Sequence, residues 1–172
     1  MAKERTIVAL MLGACASAPV PQTAGLPENL RVPEGQQLLL HAAARGAQIY
    51  TCKTKASEPL AFEWILQAPE ADLFDPSGAK IGRHYAGPTW ESADGSRVEG
   101  EVIQRSPVQG AIPRLLLRAK STAGSGLLAS TQYVQRLDTV GGVAPAAGCD
   151  KEHAGAQARV DYSATYDFYG LR

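Results

Sequence analysis

The amino-acid sequence predicts an all-β chain, an antiparallel sandwich or barrel of short strands in one domain, and three observations carry that expectation. Residues 160–169 alternate: Val160, Tyr162, Ala164, Tyr166 and Phe168 are interleaved with Asp161, Ser163, Thr165 and Asp167, a period of two that sends apolar and polar groups to opposite faces of a strand. Turn-forming residues recur between short apolar runs, at Arg45-Gly46, Asp75-Pro76-Ser77-Gly78, Asp94-Gly95 and Gly124-Ser125-Gly126, the punctuation of a sandwich or barrel. No stretch holds a convincing 3.6-residue period, which argues against a helical or parallel α/β plan.

Taken in order, residues 37–44 and 47–53 read as a hairpin reversing at Arg45-Gly46, where the glycine would supply the positive φ of a tight turn. Residues 62–67 form a further strand. Asp75-Pro76-Ser77-Gly78 has the composition of a type I turn between residues 71–74 and 80–85. Asp94-Gly95 joins residues 89–92 to 97–104. Residues 114–120 and 127–137 follow, and residues 141–148, with two adjacent glycines and Pro145, make a loop that leads into Cys149.

The start of the chain reads as an export signal. Lys3 and Arg5 precede an apolar run from residue 6 to 14, far shorter than the roughly 20 residues that cross a bilayer. Leu12-Gly13-Ala14-Cys15 resembles a lipoprotein cleavage signal with Cys15 as the lipidated residue, and Glu4 is unusual in such a basic leader. A plain secretory signal, cut after Ala16 or Ala18, is the alternative. Residues 1–14 are therefore expected as signal, 15–29 as a tether rich in Pro and Ala, and 30–172 as the domain. The expected location is extracytoplasmic, as an outer-membrane lipoprotein or a secreted or periplasmic protein; Ala16 lacks the aspartate of inner-membrane retention. The membrane would be met through the lipid anchor only.

The chain carries 17 basic and 17 acidic residues, and without the leader the balance falls to about −1. That leaves no field to attract nucleic acid. Of the three cysteines, Cys52 and Cys149 remain once Cys15 is assigned to lipid. In an oxidising compartment they are expected to bridge, and the alternative of two buried free thiols belongs to cytosol.

Several motifs together resemble a known family: Tyr50-Thr51-Cys52, the run His84-Tyr85-Ala86-Gly87-Pro88-Thr89-Trp90-Glu91, Asp94-Gly95-Ser96, Tyr133-Val134-Gln135-Arg136 with Thr139 and Gly141-Gly142, and the ending from Tyr162 to Tyr169. They are similar, over roughly residues 30–170 and in the same order, to the family catalogued as domain of unknown function 3455. The resemblance implies a small exported protein of the bacterial and fungal kind and supplies no catalytic residue. Arg114, after Ile112-Pro113, stands where the family pattern leads one to expect tryptophan.

Functional side chains are densest from residue 84 to 100. There His84, Trp90, Glu91 and Asp94 form a candidate ligand site, an apolar stacking face beside acceptors that suits a small polar or carbohydrate ligand. The plainer reading, preferred here, puts Trp90 in the core, His84 on buried backbone and Asp94-Gly95 in a turn. His41, His84 and His153 are candidate metal ligands without any His-x-His or His-x-x-x-His spacing. A hairpin at Arg45-Gly46 would set Tyr50 opposite His41, and a Cys52–Cys149 bridge would draw His153 toward them, as for copper or zinc. Ser96 lacks a Gly-x-Ser-x-Gly elbow and a clear base, and the pairs Glu91 with Asp94 and Asp72 with Asp75 are ordinary among surface carboxylates. Arg136, if buried, needs a carboxylate, with Asp138 and Asp161 the choices. No cofactor and no catalytic residue is assigned. The expectation is a non-catalytic ligand-binding or envelope-associated module, with a metal-dependent extracytoplasmic enzyme and a purely structural protein as the alternatives.

Overall fold

A computed structural model describes residues 25–171; the expected leader and Cys15 lie outside them. After a 3-10 turn at Glu28–Leu30 come eight strands, β1 Gln37–Lys55, β2 Glu58–Phe74, β3 Lys80–Tyr85, β4 Thr89–Ser92, β5 Arg97–Val108, β6 Ala111–Ala123, β7 Tyr133–Gly141 and β8 Gln157–Gly170. Each pairs antiparallel with its neighbour in sequence, and β1 pairs with β8 from Gln37 opposite Gly170 to Thr51 opposite Gln157. The sheet thus closes into a barrel, which removes most of the free edges an open sheet exposes. The all-β antiparallel expectation holds, but the strands are not all short: β1 runs 19 residues and β2 17.

The hairpin expected at Arg45-Gly46 does not form. Both residues lie inside β1, Arg45 opposite Asp72 and Gly46 opposite Ala71 on one side and Tyr162 on the other. A Cβ on Gly46 would sit 2.0 Å from the Glu70 carbonyl oxygen and 2.5 Å from the Ala71 Cα. The glycine is there because the β2 backbone closes on it within the sheet, a recurrent use of glycine in strands. A register shift between Ile49 and Tyr50 adds the bend that lets so long a strand follow the barrel. Residues 127–132, expected as strand, instead form a turn: Leu128 N–H donates to Ser96 Oγ at 3.0 Å, and β7 begins at Tyr133.

The other reversals form where their residues dictate. Asp75 Oδ1 accepts from Ser77 N (2.8 Å), Ser77 Oγ (2.6 Å) and Ala79 N (3.0 Å). Asp94 Oδ1 accepts in the same way from Ser96 N (2.8 Å) and Ser96 Oγ (2.6 Å). These are Asx turns, in which a short carboxylate replaces a backbone acceptor.

The period of two in β8 is realised in the core. Tyr162, Ala164, Tyr166 and Phe168 point inward with Ala42 and Ala44 of β1, Leu73, Trp90, Val98, Leu115, Leu117 and Val134. Trp90 is the hub, stacked on His84 (4.5 Å between centroids, 7° between planes) and edge-on to Tyr166 (5.2 Å) and Phe168 (5.9 Å). Large aromatics on β4 and β8 fit because the facing positions on β1 are alanines, the small-against-large complementarity of a close-packed barrel. The Glu28–Leu30 turn packs outside: Leu30 is buried and its carbonyl accepts from Gln135 Nε2 at 2.6 Å, while Asn29 Nδ2 donates to Arg105 O.

Cys52 and Cys149 are bridged, with Cα atoms 5.3 Å apart. The bridge ties the loop of residues 142–156 to the end of β1, where Cys52 N donates to Ala156 O and Gly155 N to Cys52 O, both at 2.9 Å.

One flank of the barrel is left open. β3 meets β2 only along Ala71 to Phe74, and β4 meets β5 only along Arg97 to Glu99. Among the described residues, 58–70 of β2 have a strand partner on the β1 side alone, and 100–108 of β5 on the β6 side alone. The short β3–β4 hairpin closes only the half of the wall nearest the Asp75 and Asp94 turns.

Candidate functional site

The four residues of the sequence-predicted site part company. His84 and Trp90 are together in the interior, 2% and 1% exposed. His84 donates from Nδ1 to the Thr89 carbonyl (2.9 Å), and burial, with help from the nearby Arg136 charge, lowers its pKa to about 3, so the imidazole is neutral at neutral pH. Glu91, next along β4, points to the opposite face. There it accepts from Tyr85 Oη (2.7 Å) and Arg83 Nη2 (3.0 Å), bonds that hold its carboxyl below the usual range. Asp94 is taken up by its turn and, through Oδ2, by Leu127 N at 2.8 Å. The Ser96 hydroxyl first, then the Leu127 and Ser96 amides, bring its pKa to about 2.

The histidines are also apart. His41 pairs with Asp167 (2.5 Å) near the start of β1, and His153 pairs with Asp150 (2.7 Å) beside Cys52. Since β1 is continuous, Tyr50 does not oppose His41, and the two ends are separated by roughly 11 residues of strand, about 36 Å. Among the described residues no three His, Cys, Asp or Glu side chains converge as a metal site.

The structure does assemble a polar cluster that the sequence did not single out as a site, on the inward faces of β1, β7 and β8. Arg136 lies on the inward face of β7, directly opposite Tyr166 of β8 and Leu115 of β6. Its Nε and Nη2 donate to the Pro113 carbonyl at 3.0 and 2.9 Å, and Tyr166 takes a further bond. A carboxylate from Asp138 or Asp161 was the expected partner, and this is corrected: Asp138 accepts instead from Thr165 Oγ1 (2.8 Å), and no carboxylate lies within ion-pair distance of Arg136 among the described residues. The register shift between Ala111 and Leu115 turns the Pro113 carbonyl out of the β6–β7 ladder and frees it for the guanidinium.

Around Arg136 stand Tyr50, Tyr162, Tyr166 and His84, all close enough to feel its charge. Burial raises the pKa of all three phenols, and Arg136 opposes the rise. Tyr50 Oη donates to Gly142 O at 2.6 Å, and Tyr162 Oη lies 3.5 Å from Tyr166 Oη. Gly142, at φ 76°, lets the loop close over this end: a Cβ there would press on Tyr162, Ile112 and Gln48. Gln48 is 1% exposed, and its Nε2 has no hydrogen-bond partner among the described residues. A half-buried cation without a counter-ion, an orphan amide and several phenols thus meet on the inner side of the β7–β8–β1 wall. The sequence signal was Arg136 itself, an inward-facing cation in a strand of apolar neighbours.

A second concavity, an open groove of about 720 Å³, runs over the outside of β1, β2, β7 and β8 between Arg45, Phe74, Val140, Arg159 and Asp161. Arg45 lies over the Phe74 ring (5.8 Å) and Arg159 pairs with Glu70, so its cations already have partners.

Fold and cluster define a class: a disulfide-stapled, eight-stranded antiparallel barrel with an inward-facing arginine–phenol cluster. The chain belongs to the family described as "Protein of unknown function (DUF3455)", which matches residues 33–170. No curated protein and no solved structure matches it. The bridge fits an oxidising compartment, and among the described residues no helix is long and apolar enough to cross a membrane.

Proposed function

We propose that this chain is an exported, non-catalytic binding module that takes a small polar ligand bearing a carboxylate, of the sugar-acid kind, at the Arg136 cluster of the barrel. One observation carries the reading: Arg136 holds its charge half-buried with no carboxylate to match it. A guanidinium has five N–H donors in a fixed fork, and the Pro113 carbonyl and Tyr166 leave part of that fork for a carboxylate, the anion it fits in bidentate fashion. Gln48 Nε2 and the Tyr50 and Tyr162 hydroxyls supply the neutral donors and acceptors that ring hydroxyls require. Barrel mouths are common ligand sites because the closed wall below supplies rigidity while the incomplete wall supplies access.

Export and Cys15 lipidation belong to the same proposal. Their support is the leader pattern together with a bridge that needs an oxidising environment. The interior geometry favours binding over hydrolysis: the one buried imidazole is held on a backbone carbonyl and kept neutral, with no nucleophile beside it among its described partners.

The test is calorimetric titration of the purified chain with glucuronate-type sugar acids and with the matching neutral sugars. Saturable binding of the acids alone is expected, lost in Arg136→Met and kept in Arg45→Ala. Binding of neutral sugars equally well, no heat from any acid, or full binding by a folded Arg136→Met would overturn the assignment.

A further inference from the structure

The outer face of β3 to β7 carries a polar groove whose floor and walls follow from strand register. Tyr85, Thr89, Glu99 and Ser121 lie directly opposite one another from β3 to β6, one rung across four strands. Arg83, Glu91, Arg97 and Ala123 form the next rung. Residues two apart in a strand share a face, and His84, Trp90 and Val98, which alternate with these, are in the interior, so both rungs face outward. The short side chains of Thr89 and Ser121 lie among the taller Tyr85, Arg97 and Glu99, which encloses a hollow of about 240 Å³. A second hollow, of about 370 Å³, adjoins it across Ser121, which lines both. It exists because β7 begins at Tyr133, opposite Arg118, so that residues 120–123 of β6 have no strand on that side among the described residues. Thr131 and Gln132 of the preceding turn wall it instead.

The charges along this groove do not match. Both Glu91 oxygens are taken, by Arg83 Nη2 at 3.0 Å and Tyr85 Oη at 2.7 Å. A register shift beside Ser121 leaves Lys120 unopposed in the ladder, and its ammonium pairs with Glu99 Oε1 at 2.9 Å. Arg118 pairs with Glu101 at 3.0 Å. Arg97 lies within ion-pair distance of no carboxylate among the described residues, which leaves its guanidinium fork for an outside acceptor. Arg83, Arg97, Arg118 and Lys120 thus stand against Glu91, Glu99 and Glu101, an excess of a single positive charge. Thr131, 3% exposed, adds a hydroxyl that no described group satisfies.

We infer that this groove is a second binding site, for a short anionic oligosaccharide laid across the strands from Tyr85 to Tyr133. The inference stands apart from the Arg136 reading, because that cluster is on the inward face of the wall. Five strands spaced about 4.8 Å apart give the groove a length of about 19 Å, room for linked rings rather than one. The Arg97 fork calls for an anion and suits a carboxylate or sulfate carried on a ring. The Thr89 and Ser121 hydroxyls both donate and accept, as ring hydroxyls do, and Glu99 Oε2 adds an acceptor. Tyr85 and Tyr133 offer a flat aromatic face at either end for the apolar side of a sugar ring. A nucleic acid or a polyacidic peptide fits less well: a charge excess of one is a weak field for a polyanion, and Glu99 and Glu101 would oppose it.

The experiment is an NMR titration of the isotope-labelled chain, bridge intact, with trigalacturonate, a sulfated trisaccharide, neutral maltotriose, a polyglutamate peptide and a short single-stranded DNA. One or both acidic saccharides should shift the amides of Tyr85, Arg97, Glu99, Ser121 and Tyr133 saturably, and the tighter of the two identifies the anion. Shifts at Tyr50, Arg136 and Tyr162 report the interior cluster separately, so either reading can fail alone. Arg97→Ala should weaken the acidic saccharides roughly tenfold, the loss of a charge-assisted hydrogen bond. Ser121→Tyr, which puts a strand-compatible side chain into both hollows, should abolish their binding. Should a variant unfold, the shift map of the unaltered chain still decides. Maltotriose binding as tightly as the acids, acids that shift nothing along the groove, the peptide or DNA binding there more tightly than either acid, or a folded Ser121→Tyr that binds as before would each overturn the inference.

Discussion

Replacing both Cys52 and Cys149 with alanine should lower stability by about 4.7 kcal/mol, the chain-entropy value for a closed loop of this size. The two residues lie 97 positions apart, so the bridge removes from the unfolded ensemble most of the freedom of the six strands between them, β2 to β7. The native state loses little. The loop of residues 142–156 keeps the Tyr50 Oη bond to Gly142 O, the Trp64 Nε1 bond to Ala147 O (3.0 Å) and the paired backbone bonds between Cys52 and residues 155 and 156. For a domain of this length, 1 kcal/mol moves the midpoint by roughly 2–4 °C, so a fall of about 10–19 °C is expected. Guanidinium melts of the bridged and alanine forms measure the first quantity and thermal melts the second. The variant should also show a steeper denaturant dependence, since its unfolded chain expands further. A loss under about 1 kcal/mol with an unchanged slope would mean that the unfolded chain is already held together by other contacts, and the entropic reasoning would fail.

Two further outcomes follow from the interior. Gly46→Ala should destabilise by more than about 3 kcal/mol, because its methyl would meet the Glu70 carbonyl and Ala71 backbone, which cannot move without opening the ladder; a thermal melt checks it, and a loss near 1 kcal/mol or less would contradict the strand assignment. His84 is neutral when folded, with a pKa of about 3. As pH falls below about 6.5 the unfolded chain takes up a proton that the folded chain refuses, so this group's contribution is constant above that pH and declines between there and about 3. Urea melts at several pH values should show wild type losing up to about 1.4 kcal/mol per pH unit relative to His84→Gln, and parallel profiles would refute the neutral imidazole.

Much of this barrel was legible before folding was considered. The turns at Asp75 and Asp94 were readable because their chemistry is local: a carboxylate two residues before an amide reaches it in any context. The β8 alternation was readable because one face of the strand is core and the other is not. Arg45-Gly46 misled for the opposite reason. A glycine that frees a turn and a glycine that admits a neighbouring backbone look alike until the neighbour, here residues 70 and 71 of β2, is in place. Pro59 and Pro69 carried an unread signal, since prolines within strand pattern mark a free edge.

The candidate site was less legible. Trp90 and Glu91 are adjacent in sequence and so on opposite faces of β4, one in the core and one on Arg83 and Tyr85. Side-chain density along the chain therefore did not translate into density in space.

The order of residues by itself determined the all-β class, the reversals at Asp75 and Asp94, the pairing of the two cysteines and the membership shown over residues 33–170, because alternation, turn chemistry and cysteine number are properties of short segments or simple counts. Only the tertiary structure decided that β1 runs unbroken past Gly46, that β3 and β4 stop short and leave a flank open, and that Arg136 lies with Tyr50, Tyr162 and Tyr166 without a carboxylate. Those facts depend on which backbone lies beside which, and strand pairing between residues far apart in the chain is set by the whole barrel closing at once.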